Sequence, residues 1–109
     1  MSKYVFLYYG GKDPSTFSKE EMKEVMQNWT DWFKSIGDKM VDGGNPFKPG
    51  KSVGVSEVSD LAKEDWPAKG YTIVEVDDYE QACELAKGCP ILSEDDDQAV
   101  VRVYECAPM

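Results

Sequence analysis

An α+β fold, a split βαβ sheet carrying two helices on one face, is what this 109-residue sequence predicts. Three observations lead there. Residues 18–47 hold the longest apolar pattern of helical period. A second, shorter helical pattern lies between two β-rich segments near the C-terminus, so the periodicities run β-α-β-β-β-α-β. The first strand is apolar on both faces, so one layer of helices leaves half of it uncovered.

That strand is residues 3–9, KYVFLYY, with Tyr4, Phe6 and Tyr8 on one face and Val5, Leu7 and Tyr9 on the other. Gly10, Gly11, Asp13 and Pro14 turn the chain, and the Gly-Gly-Lys at 10–12 lacks the full spacing of a phosphate loop. In the helix that follows, Met22, Val25, Met26, Trp29, Trp32, Phe33 and Ile36 recur at spacings of three and four, one stripe of about five turns. Ser18 and Glu21 form a capping box, Phe17 can staple onto Met22, and Gly37 ends the helix.

Residues 39–41 form a short strand before the Gly-Gly-Asn-Pro turn at 43–46, and residues 51–58 a second. Residues 59–69 are a polar loop whose one large apolar feature is Trp66-Pro67, a lid, a dimer contact or the cover of the loop's own base. Residues 71–76 are a strand. Asp77 and Asp78 cap the next helix, which shows Tyr79, Ala82, Cys83 and Ala86 on one face and stops at Gly88 and Pro90. Residues 93–98, SEDDDQ, are an acidic turn without the spacing or glycine of a calcium loop, and residues 99–105 are the last strand.

The composition narrows the function. With 41% hydrophobic and 12% aromatic residues the chain is a folded globular one, a single domain over 1–109. A net charge of −9 and no basic patch oppose nucleic-acid binding and docking on an anionic membrane. No apolar run approaches the roughly 20 residues of a membrane span. The N-terminal residues lack signal-peptide architecture, so a cytoplasmic location is expected. Cys83, Cys89 and Cys106 are read as reduced thiols, with Cys83 buried in its helix. The chain has no histidine, which removes His-based acid–base chemistry and most zinc sites and leaves its thiols without the usual activating base. No metal site and no cofactor is expected.

Two readings attach to Trp29 and Trp32: core packing, which is the default, and the wall of a ligand cavity. If the strands carrying them are close, Glu75, Arg102 and Tyr8 can meet in one polar cluster. There Arg102 would clamp a carboxylate and Glu75 would act as a base. The alternative is a cross-strand ion pair on an exposed sheet. The doubly apolar first strand predicts a homodimer with sheets packed face to face.

Trp29-x-x-Trp32, Ser35-Ile36-Gly37-Asp38 and Asp42-x-Gly44-Asn45-Pro46-Phe47 resemble the YCII-related, dimeric α+β barrel proteins. So do Gly70-Tyr71-x-Ile73 with Glu75, Ala82-x-x-Leu85-Ala86-x-Gly88-Cys89-Pro90, and the closing Val103-Tyr104-Glu105. The resemblance spans nearly the whole chain. It implies a ferredoxin-like dimeric barrel with a cavity at the dimer, and it makes Asp42 the counterpart of the acidic member of the family's His–Asp pair. The chain departs from the pattern in having no histidine, in lacking a DGPF tetrapeptide before Gly70, and in placing Arg102 where similar chains have an acidic residue. The expected function is binding of a small polar or acidic metabolite in a cavity near the dimer interface, lined by Tyr8, Trp29, Trp32, Glu75 and Arg102. The alternatives are a metal-independent enzyme using Glu75 or Asp42 as general base, and an interaction module with no ligand.

Overall fold

A computed structural model describes residues 1–93 and 98–109. The acidic turn proposed at 93–98 falls mostly outside the described residues. The elements are β1 (Ser2–Tyr9), α1 (Lys19–Ile36), β2 (Met40–Asp42), β3 (Lys51–Val53), β4 (Val58–Asp60), β5 (Gly70–Val76), α2 (Tyr79–Lys87) and β6 (Val100–Glu105). Four strands form one antiparallel sheet in the order β2-β5-β1-β6, and β3 pairs with β4 apart from it.

β1 sits at the centre because it is the strand with large side chains on both faces. Its even residues Tyr4, Phe6 and Tyr8 are 2%, 0% and 5% exposed, and they meet Trp32 and Ile36 of α1 and Ala82 and Ala86 of α2 in a single core. Both helices therefore cover the same face. Complete burial of a side chain the size of Phe6 contributes about 2 kcal/mol of transfer free energy. The odd residues Val5, Leu7 and Tyr9 are only half-buried, since none of the described residues is layered over most of that face. The shortest dimension of 21 Å accommodates one sheet and one helix layer, not a third.

The local punctuation of α1 follows its sequence. Ser18 Oγ accepts from the Glu21 amide at 3.1 Å while Glu21 Oε1 accepts from the Ser18 amide at 3.2 Å. Gly37, at φ 63°, closes the helix with its N–H on the Phe33 carbonyl. The stripe is buried only in its second half: Trp32 and Ile36 are buried, while Met26 is 61% exposed.

Two expectations are corrected. Residues 51–58 are not one strand but a hairpin, β3 and β4, closed by the Gly54 amide donating to the Glu57 carbonyl at 2.7 Å. The reason is legible in hindsight: Val53 and Val55 share a parity that Val58 breaks. Cys83 is exposed, and the buried thiol is Cys89. In α2 the buried positions are Ala82 and Ala86, one turn apart, and Cys83 lies one residue, about 100°, round the helix.

Candidate functional site

The predicted site residues fall on two opposite faces of the sheet. Beneath the helices, Tyr8 meets Trp29 edge-on at 5.2 Å between ring centroids, and Trp29 meets Trp32 at 5.7 Å. The polar atoms of Trp32 and Tyr8 are engaged inside the fold. Trp32 Nε1 donates to the Leu85 carbonyl at 3.0 Å, tying α1 to α2. Tyr8 Oη donates to Thr72 Oγ1, which donates onward to the Gly43 carbonyl at 2.9 Å. Burial pushes the Tyr8 phenol well above its usual range, outweighing the opposing effect of the Thr72 bond. For Trp32 and Tyr8 the arrangement is that of a satisfied core, which is the first of the two readings of the stripe.

The opposite face is where the remaining candidates lie. Register fixes their spacing: Glu75 faces Lys3 across the β1–β5 ladder, whereas Arg102 faces Leu7 across the β1–β6 ladder. Four residues of β1 separate the two ranks, about 13 Å along the strand, and the two side chains come from the strands on either side of β1. Glu75 and Arg102 share a face but do not meet, and Tyr8 points away from both. The Tyr8–Glu75–Arg102 cluster is therefore corrected, because strand alternation sends position 8 to the helices and positions 75 and 102 to the open side.

Arg102 has other company. Its guanidinium carbon lies 4.7 Å from the Tyr9 ring centroid and 5.7 Å from that of Trp66. Tyr9 and Trp66 stack at 5.3 Å with an interplanar angle of 28°. Trp66 reaches this position from a left-handed backbone, φ 49° and ψ 62°, the only non-glycine residue with positive φ among those described. Its amide bonds the Lys63 carbonyl at 3.1 Å, and Asp65 Oδ2 accepts from the Ala62 amide at 2.7 Å, which holds the short turn. Sequence reasoning singled out Trp66 but not its partners. The contact joins residues 57 and 36 positions apart, beyond any local pattern.

A second polar group occupies the β2 edge of the same sheet. Tyr71 Oη donates to Asp42 Oδ2 at 3.0 Å, and the Gly44 amide donates to Asp42 Oδ1 at 2.8 Å. The bond to Asp42 raises the Tyr71 pKa, since ionisation would set a phenolate against the carboxylate. Phe47 stacks on Tyr71 at 5.8 Å. With both oxygens of Asp42 occupied, its visible work is to hold the Gly43–Phe47 turn around Tyr71, a different role from that of a general base.

Two surface clefts lie elsewhere. One, of about 230 Å³, runs between Phe17, Glu24, Val25, Asn28 and Pro90. The other, of about 410 Å³, lies along Lys39, Val76, Gln81 and Leu85. Neither contains Tyr8, Trp29, Trp32, Asp42, Glu75 or Arg102. Among the described residues no group of three or more Cys, Asp or Glu is placed to hold a metal ion, and no helix is long and apolar enough to cross a membrane. No protein-family model matches the chain, and no curated protein matches it either.

Proposed function

We infer that the chain works as a homodimer, its two open sheet faces packed together, and binds a small polar or acidic metabolite at that interface. The observation that carries this reading is the uncovered face itself. Val5, Leu7 and Ile73 form a half-buried apolar strip at its middle, with Tyr104 50% exposed beside them. Polar groups flank the strip, Tyr71 with Asp42 toward one edge and Arg102 with Trp66 toward the other. An apolar surface with a few placed polar groups is the usual make-up of a ligand site. An apolar sheet face this central is the kind of surface that a second copy buries.

The strand order β2-β5-β1-β6, with α1 between β1 and β2 and α2 between β5 and β6, supports reading the sheet as ferredoxin-like. A dimeric α+β barrel, as in the YCII-related proteins, is the assembly in which such a sheet covers its second face.

Sedimentation equilibrium tests the assembly. A dimer at micromolar concentration is expected, and Val5→Lys, which sets a cation in the middle of the strip, should give a folded monomer. A wild-type chain that sediments as a monomer at 100 µM would sink the reading. A thermal-shift screen against small metabolites tests the ligand, since a compound bound by the folded state alone must raise Tm.

A further inference from the structure

We propose that Arg102, set against the Tyr9 and Trp66 rings, is the docking point for the carboxylate of a small, planar, apolar-bodied acid. The inference deepens the small-ligand reading of the open face and rests on it.

Arg102 is the only arginine in the chain, beside eleven lysines. Its guanidinium carbon lies over two aromatic rings, 4.7 Å from the Tyr9 centroid and 5.7 Å from that of Trp66. A cation in this position is held by the faces of the rings, and its N–H edge can still make two parallel hydrogen bonds to a carboxylate. No hydrogen bond or ion pair engages that edge among the described residues, although acidic residues outnumber basic ones 21 to 12. An arginine held against two rings, with no carboxylate paired to it among the described residues, is arranged for one that arrives from outside.

The second support is the cost of the arrangement. A tryptophan in the left-handed region is disfavoured because its Cβ crowds the backbone, and the turn at 62–66 is hydrogen-bonded so as to keep it there. Without that turn the indole would not lie on Tyr9.

The neighbouring positions set the ligand class. Leu7 is the cross-strand partner of Arg102, and Val100 and Tyr104 flank it on the same face of β6. A molecule whose carboxylate meets the guanidinium edge therefore lays its body on apolar and aromatic side chains. The net charge of −9 favours a monoanion over a polyphosphate, because a single guanidinium must outweigh the repulsion of the whole surface.

Benzoate is the probe, with benzamide as its neutral isostere. A chain with one arginine has one Nε–H signal in a ¹H–¹⁵N spectrum, so the site reports on itself. Benzoate is expected to move that signal saturably and benzamide to leave it in place. Arg102→Lys keeps the charge but loses the planar fork, and should weaken benzoate binding, followed by tryptophan fluorescence, about tenfold or more. A signal unmoved by benzoate, equal shifts with both compounds, or an unchanged midpoint in Arg102→Lys would each overturn the proposal. Sedimentation of the same samples separates the failures: a dimer blind to benzoate overturns the carboxylate site alone, and a monomer blind to benzoate overturns the dimer reading with it.

Discussion

Replacing Gly44 by alanine, with Gly37→Ala as its control, separates two costs that a glycine can hide. Both residues have positive φ, 76° and 63°, so an L side chain is strained at either. They differ in what a Cβ would meet. At Gly37 nothing lies within 4 Å. At Gly44 the Cβ would stand 1.7 Å from the Tyr71 carbonyl oxygen and 2.6 Å from its carbon, both backbone atoms of a central strand. Gly37→Ala should therefore cost only conformational strain, about 1–3 kcal/mol. Gly44→Ala adds a collision that only movement of the turn can relieve, about 2 kcal/mol more on the scale of overpacked sites. For a chain of 109 residues each kcal/mol corresponds to about 4 °C in Tm. Calorimetry should thus find Gly37→Ala lower by about 4–12 °C and Gly44→Ala lower by about 8 °C more than that. The second variant should also show altered Tyr71 near-ultraviolet dichroism, because the turn carries Asp42 away from the phenol. Equal losses in the two variants would refute the argument, since the turn would then not be packed against β5.

Trp32→Phe removes the indole bond to the Leu85 carbonyl while keeping an aromatic ring, and should cost about 1–3 kcal/mol in urea unfolding. Tyr8→Phe should cost about 1 kcal/mol, because Thr72 keeps its own bond to the Gly43 carbonyl when the phenol is gone. Acid should weaken the start of α1. The Ser18 amide and hydroxyl, and then Lys12, hold the Glu21 carboxyl below its usual value of 4.5, so its stabilisation is complete above that value and is lost as pH falls through the lower folded pKa. An acid titration of helicity in Glu21→Gln should lack that component. Alkali acts oppositely through Tyr4 and Tyr8: burial raises both phenols above 10.0, so stability falls once pH passes 10.0, where only the unfolded chain ionises them. Spectrophotometric titration should find these phenols ionising together with unfolding.

The sequence by itself determined the features that depend on a few neighbouring residues. The Ser18–Glu21 box, the stop at Gly37, the two-sided pattern of β1 and the start of α2 at Asp78 arise from backbone geometry and local hydrogen bonding, and all were legible. Where local patterns were short or mixed the reading slipped, as at 51–58, where the valines change parity, and at Cys83, one helical step from the buried face.

Which side chains meet across the sheet was decided only by the tertiary structure. Alternation assigned Glu75 to one face of its strand and Arg102 to one face of another, but not the ranks at which register sets them apart. Nor could it seat Trp66 on Tyr9 and Arg102, because that contact depends on a left-handed residue at the end of a polar turn. Local propensity acts through the covalent neighbourhood of each residue. Contacts between residues tens of positions apart are settled by how whole elements pack, and the candidate site on the open face is made of such contacts.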